Sequence, residues 1–366
     1  MSIECARVGG INLAQGICDT EVPEPVRRAA QAAIDAGANV YSRFDGLEAL
    51  RIALASKMRL HNGLEFDADG EIIVTIGATG AFYVAALATL DPGDEVILLE
   101  PYYGYHANTL YALDAVPVYV PTQPPHWRLE ISELEAAITP RTRGIVVNTP
   151  ANPSGKVFTR EELEQIGALA CKHDLFIFTD EVYEHFVFDG REHVSPAALP
   201  GLRERTITVN ALSKTFAITG WRLGWVAADR HWARAMGPLN DLVYVCAPTP
   251  LQAGAARGLE LLGAEFFDGI RIEYQRKRDR LCAALERAGL PPYVPQGAYY
   301  VLADISRLPG VSAMDRAMHL LRETGVATVP GEAFIAGEEA HRVTRFCFGK
   351  TDADLEEACV RLEKLG

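Results

Sequence analysis

The middle of this chain alternates short β-branched runs with longer helical patterns, and no other feature narrows its possible folds so far. The spacing predicts strands at Glu71–Ile76, Glu95–Leu99, Val116–Val120, Gly144–Asn148, Leu175–Thr179 and Thr206–Val209. Runs such as Ile145-Val-Val and Phe176-Ile-Phe are apolar at successive positions, so both faces of those strands must be covered. Helices packed on both sides of a mostly parallel sheet do this, which makes the chain α/β. Helix starts are readable as well. Ser132-x-x-Glu135 and Thr159-x-x-Glu162 each have the form of a capping box, and Asp91-Pro-Gly-Asp94 marks a turn.

The texture changes after about residue 263. A long charged helix, roughly Glu265 to Ala288, precedes isolated strands at Ala298–Ala303, Val326–Val329 and Val343–Phe348 and a last helix from Asp352. This reads as a smaller α+β domain. The first 30 residues hold no complete unit and are expected to pack against it. The expected division is a large domain at 31–263 and a small domain made of 1–30 and 264–366. A length of 366 residues suits two such domains.

Ile72 to Leu90 is uncharged for 19 residues, long enough in principle to cross a bilayer. Gly77, Gly80 and three threonines interrupt it, and a buried strand leading into a buried helix explains the pattern better. The net charge of −13 disfavours nucleic acid and anionic membranes, leaving a small-molecule partner. Seven scattered cysteines with no C-x-x-C pair argue against a disulfide framework or a zinc ribbon, and no metal site is expected. The N-terminus lacks the basic start and apolar core of a signal peptide, so a reducing, cytoplasmic setting is expected.

Only seven of the 35 basic residues are lysines. Lys57, Lys172, Lys277 and Lys364 sit in charged helical patterns and are expected on solvated faces, while Lys156 and Lys350 follow glycines in loops. Lys214 differs, lying in Val209-Asn-Ala-Leu-Ser-Lys-Thr-Phe216 just past a predicted strand. Ligands collect at strand ends in open α/β sheets, and a part-desolvated lysine there can act as a free amine. The plainer alternative is a solvated lysine.

The neighbouring blocks weigh against that alternative. Ser213-Lys-Thr-Phe-Ala-Ile-Thr-Gly-Trp-Arg-Leu-Gly-Trp225, Asn148-Thr-Pro-Ala-Asn-Pro-Ser-Gly155, Thr179-Asp-Glu-Val-Tyr183 and Gly77-Ala-Thr-Gly80 are similar to blocks of the class I, fold-type I aminotransferases. The resemblance runs from about Ile11 to Leu365 and is strongest to enzymes called kynurenine, glutamine or methionine aminotransferases. It implies pyridoxal 5'-phosphate held by Lys214 as a Schiff base, with Arg222 on the phosphate. It also implies Asp180 on the protonated ring nitrogen, with Asn152 and Tyr183 on the 3-oxygen. Tyr103 would stack on the ring, and the amides of Ala78 and Thr79 would hold phosphate at a helix N-terminus. Arg345 would grip the substrate α-carboxylate beside Gly16, and Tyr41 would reach the neighbouring subunit's phosphate, which implies a homodimer with shared sites.

The implied activity moves an amino group from an L-amino acid to a 2-oxo acid. No second arginine for a dicarboxylic donor is apparent, and Tyr103, Tyr41 and Phe348 are expected near the pocket, so a neutral, sulfur-containing or aromatic donor is favoured. The alternatives are a β-eliminating lyase, other carbanion chemistry such as cyclisation or oxidation, and a non-catalytic binding protein on the same fold. A nicotinamide site is a rival from another class, because Gly77-Ala-Thr-Gly80 with Glu100 resembles a dinucleotide fingerprint, although Tyr83 stands at the third glycine position. Two departures from the family pattern are Ala211, where many members carry a phosphate-contacting serine, and a short segment before Gly16.

Overall fold

The structure is a computed structural model that describes all 366 residues, Met1–Gly366. Its main element is a seven-stranded sheet. In chain order the strands are β1 (Ile72–Ile76), β2 (Glu95–Glu100), β3 (Val116–Pro121), β4 (Thr142–Asn148), β5 (Phe176–Asp180), β6 (Thr206–Ala211) and β7 (Leu223–Ala227). Their spatial order is β1-β7-β6-β5-β4-β2-β3. Strands β3, β2, β4, β5 and β6 run parallel, and β7 is antiparallel to both β1 and β6.

Six of these strands match the sequence expectation, and β7 does not appear in it. Its Gly224 weakens the local strand signal. That glycine is nonetheless required, because a Cβ there would collide with the backbone of Gly77. All five β7 residues are buried.

Helices α1 (Glu24–Asp35), α2 (Gly77–Thr89), α3 (Gly104–Ala112), α4 (Arg160–Lys172) and α5 (Thr249–Leu261) belong to this part of the molecule. Strand alternation sends Val96, Leu98, Val146 and Phe178 to one face, against Phe82 and Ala85 of α2. Ile97, Ile145, Val147 and Ile177 point the other way, against Leu163, Ile166 and Leu169 of α4. Each such side chain contributes about 1.5–3 kcal/mol by leaving water. Thr159 caps α4 as expected: its hydroxyl accepts from the Glu162 amide at 3.2 Å, and the Glu162 carboxylate accepts from the Thr159 amide at 3.0 Å. The second expected box is absent, since Ser132 lies inside a short helix, Ile131–Ala136, whose cap is Glu130.

The C-terminal third adds helices α6 (Ala264–Arg287), α7 (Ala313–Thr324) and α8 (Asp352–Glu363). They pack on an antiparallel sheet of β8 (Pro292–Tyr293), β9 (Tyr300–Asp304), β10 (Val329–Pro330) and β11 (Val343–Cys347), in the order β10-β11-β9-β8. The expected strand from Ala298 begins later, because Ala298 takes a left-handed φ of 60°. The expected strand at Val326–Val329 is divided between two sheets. Val326–Ala327 pairs in parallel with Ile11–Asn12, and Val329–Pro330 edges β11. Helix α1 instead packs on α5, where Gly254 leaves room for Val26 and Ala30. One core, containing Tyr183, Phe186, Tyr299, Phe346 and Leu281, joins the two sheets. Ile72–Leu90 is β1 followed by α2, and no helix is long and apolar enough to cross a membrane.

Candidate active site

The carboxyl ends of the parallel strands open on one side of the sheet, and the last residues of β4, β5 and β6 face a cavity of about 350 Å³ there. Asn148 ends β4, Asp180 ends β5 and Ala211 ends β6. Ala78, Thr79, Tyr103, Asn152, Tyr183, Lys214 and Arg222 line the same cavity. Residues separated by up to 144 positions in the chain thus meet at one place.

At one end, the amides of Ala78 and Thr79 belong to the first turn of α2, whose N-terminus favours an anion. Gly77 takes a φ of 68°, and a Cβ on it would collide with the Arg222 guanidinium. Arg222 itself adopts a left-handed φ of 57°, a conformation that non-glycine residues keep only where the surroundings enforce it. Its Nη1 donates to the Thr219 carbonyl at 3.0 Å, and no carboxylate lies within 4.0 Å of it. Ser213 and Thr219 line this end too, and Ala211 adds no hydroxyl.

At the other end, the Asp180 carboxylate receives the Val182 amide at 3.3 Å and contacts His106 Nε2 at 3.0 Å. His106 is buried in α3, three residues beyond Tyr103, the N-cap residue of this helix. The ring of Tyr103 stands edge-on to His106 with centroids 5.3 Å apart. The hydroxyls of Tyr183 and Tyr300 are 2.9 Å apart. Burial pushes the phenols of Tyr103 and Tyr183 above their ordinary range, so both remain proton donors.

Lys214 Nζ donates to the Gly16 carbonyl at 2.9 Å, and Tyr299 donates to the same oxygen at 2.9 Å. Burial lowers the Lys214 pKa; Arg222 and Arg345 act in the same direction, against the opposing Cys18 and Cys347 thiols. Lys172 and Lys364 are exposed as expected, whereas Lys57 and Lys277 are buried rather than solvated. Lys57, Lys156, Lys277 and Lys350 are all buried, and each pairs with a carboxylate: Glu184, Glu162, Glu273 and Asp19 respectively. Lys214 is the one lysine withdrawn from solvent with no carboxylate partner.

Arg345, on β11, is 7% exposed. Its Nη1 donates to Asn152 Oδ1 at 2.9 Å and its Nη2 to the Ala14 carbonyl at 2.7 Å, while Nε has no partner. Its guanidinium carbon lies 4.3 Å from the Tyr300 ring centre and 4.9 Å from that of Phe334. A second chamber of about 670 Å³ opens from this point, bounded by Gly16, Tyr102, Tyr105, Tyr111, Tyr119 and Phe334.

Phe348, expected near the pocket, lies elsewhere. Tyr41 is 79% exposed and lines neither cavity of its own chain. Phe348 is fully buried beside Phe188, and Phe334 provides an aromatic wall instead. The sequence reading missed His106, Ser213, Tyr300 and Phe334. A histidine one turn into the helix after β2 was a usable signal for His106; nothing local marks Tyr300 or Phe334. Glu100 does not face an open ribose site, because its carboxylate accepts from the Ala336 amide at 2.8 Å.

The donor set fits pyridoxal 5'-phosphate. An unpaired arginine and a helix N-terminus suit a dianionic phosphate, a carboxylate at the opposite end suits a ring nitrogen, and an amine lies between. Comparison with known proteins agrees. The family model for aminotransferase class I and II matches residues 8–362. The aromatic-amino-acid aminotransferase 2 of Thermococcus litoralis is 37% identical over 98% of this chain and 92% of its own length. Kynurenine–oxoglutarate transaminase 3 of Rattus norvegicus is 34% identical over 95% of this chain and 83% of its own. The solved N-succinyldiaminopimelate aminotransferase of Mycobacterium tuberculosis superposes with a TM-score of 0.96 at 35% identity, covering 100% of this chain and 96% of that one. Matched by the family model over nearly its whole length and sharing the fold of a solved relative, the chain belongs to the class I and II aminotransferases, the pyridoxal-phosphate-dependent transaminases of fold type I.

Proposed function

We propose that this chain transfers the amino group of a neutral, sulfur-containing or aromatic L-amino acid to a 2-oxo acid. The observation carrying this reading is the convergence of Lys214, Arg222 and Arg345, none paired with a carboxylate, on one cleft that ends at Asp180. Unpaired cations removed from water are costly unless an anion completes them. Phosphate answers Arg222 and the α-carboxylate answers Arg345.

Bound pyridoxal phosphate supplies an electron sink for the charge left on the substrate Cα when its proton departs. The protein's residues do the rest. Asp180, held by His106, would keep the ring nitrogen protonated, and Asn152 and Tyr183 would address the 3-oxygen. Lys214 would tether the cofactor and, once released from it, would take up the Cα proton at its Nζ. Its lowered pKa suits that work, since a neutral amine is needed to accept the proton. Arg345 fixes the carboxylate, so that the Cα–H bond meets Lys214 in one orientation.

The outer chamber supports the donor class. Its charged lining is Lys214, Arg345 and Glu332, so this chain offers no further cation for a side-chain carboxylate, and Glu332 repels one. Its tyrosines suit an apolar or aromatic side chain. The names of relatives do not choose between donors, because similar identities accompany aromatic, kynurenine and succinyldiaminopimelate labels. We further propose a homodimer in which exposed Tyr41 completes the partner's phosphate site.

Purified protein supplied with pyridoxal 5'-phosphate should turn yellow and convert a panel of amino donors, with 2-oxoglutarate or pyruvate as acceptor. Phenylalanine and methionine should exceed aspartate in kcat/KM. Release of pyruvate and ammonia from β-substituted donors without amino transfer would replace this reading with a lyase.

A further inference from the structure

Tyr300, at the start of β9, is buried between two groups that the reaction uses separately. Its hydroxyl is 2.9 Å from the Tyr183 hydroxyl, and its ring lies 4.3 Å under the Arg345 guanidinium carbon. Either phenol can donate in the first pair. Once the Tyr183 proton is committed to the cofactor 3-oxygen, only Tyr300 can donate to Tyr183. Burial raises the Tyr300 pKa to about 12 despite nearby Arg345, so the proton is present at neutral pH. Tyr300 also packs closely against Gly16 of the N-terminal segment. A Cβ on Gly16 would collide with the Tyr300 hydroxyl, so the carbonyl that receives Lys214 and the phenol of Tyr300 share one tight position.

We propose that Tyr300 is a positioning residue that links the substrate-carboxylate site to the cofactor-oxygen site. Its hydroxyl polarises Tyr183, and its ring sets the plane in which Arg345 presents its guanidinium. The proposal rests on the roles given above to Lys214, Tyr183 and Arg345. Neither half requires Tyr300 to touch a reacting atom. A chain of two phenols makes the second a stronger donor than one alone. A phenol donating to the ring oxygen competes with the proton which that oxygen shares with the Lys214 nitrogen. Strengthening that donation therefore lowers the pH at which the visible spectrum of the loaded protein changes.

Two variants separate the halves. Tyr300→Phe keeps the ring and removes the hydroxyl; Tyr300→Leu removes both. The first readout is the pH midpoint of the visible absorbance of the loaded protein. The second is the affinity for 3-phenylpropanoate, a carboxylate without an amine, measured by titration of that absorbance. The ionisable groups around Tyr300 are Tyr103, Tyr183, Tyr299, Arg345 and Cys347, and none of them changes in either single variant.

Tyr300→Phe should raise the midpoint by about 0.3–1 unit while changing 3-phenylpropanoate affinity less than about twofold. In a Tyr183→Phe background the same change should move the midpoint no further. Tyr300→Leu should in addition weaken 3-phenylpropanoate binding by about 5- to 20-fold. An unmoved midpoint in Tyr300→Phe, or a shift that persists undiminished without Tyr183, would overturn the proposal. So would wild-type carboxylate affinity in Tyr300→Leu. Should Tyr300→Leu fail to fold, Tyr300→Phe and the double variant still decide. Wild-type protein that never turns yellow would instead defeat the transaminase reading itself, and the proposal with it.

Discussion

Two groups of buried and half-buried ionisable side chains adjoin the end of β5, and they are built on opposite terms. Behind the strand end, Glu184 meets Lys57, Asn62 and Asn210. Glu181 meets His193, Ser195 and Thr179. Glu181, Glu184 and His193 are close enough to hold a cation, with ligand atoms within 4.8 Å, and the Lys57 ammonium already supplies one to Glu184. Burial alone would raise the Glu184 pKa, but Lys57, His185 and His193 outweigh it and hold the carboxyl ionised. In front of the strand end, Lys214, Arg222 and Arg345 make bonds only to carbonyl and amide oxygens. The Lys57–Glu184 pair balances its charge without a ligand, whereas the front group leaves cations that need one. Buried charge by itself is therefore a poor guide to function here; the missing counter-charge is the guide.

The largest effect that could break this comparison concerns the front group. Lys214→Ala should lower turnover by about 10⁴-fold or more and abolish the yellow colour, with the denaturant midpoint of the cofactor-free protein nearly unchanged. Full activity in this variant would remove the chemical role of the front group altogether. The rear group should answer in the other currency. Lys57→Met leaves Glu184 buried without its cation and should cost about 3–5 kcal/mol of stability by urea unfolding, with kcat altered less than about threefold. A stable but inactive Lys57→Met would place the rear group in the mechanism.

Arg345→Ala should reduce kcat/KM for the best donor by about 10²–10³-fold, mostly through KM, with a smaller stability loss than Lys57→Met. Equal losses in stability would mean that Arg345 is a structural residue. The smallest effect is a pH dependence. The folded chain lowers the Lys214 pKa below its ordinary 10.5, so between the two values the unfolded chain binds more protons. The penalty is complete below the folded pKa and is relieved as pH rises toward 10.5. Cofactor-free Lys214→Met should therefore be the more stable protein at neutral pH, with its advantage shrinking through the alkaline range. A gap independent of pH would mean that Lys214 is not desolvated.

The sequence made the front group legible because its members sit in short, specific segments: Lys214 and Arg222 share one motif, and Asp180 and Tyr183 share another. It also revealed the parallel strands, whose two apolar faces leave a local pattern. The rear group was illegible for the converse reason. Lys57 looks like any lysine on a charged helix, and its partner Glu184 lies 127 positions away. Tyr300 and Phe334 were hidden in the same manner, since their relation to Arg345 exists only after β9 and β10 pair with β11. The strand β7 escaped because a glycine needed for close backbone approach also erases the strand signature.

That reversed strand has a consequence for how the chain can vary. Lys214 leaves the end of β6 and Arg222 enters β7, the neighbouring strand, so the loop joining them is clamped at both ends by hydrogen-bonded register. Its length acts as a ruler that sets amine against phosphate anchor. Turns at Gly190 and Gly337, which have open space around them, can take up an inserted residue. One residue added or removed between 215 and 221 would misplace one anchor relative to the other, so length variants there should be absent from working copies of this chain.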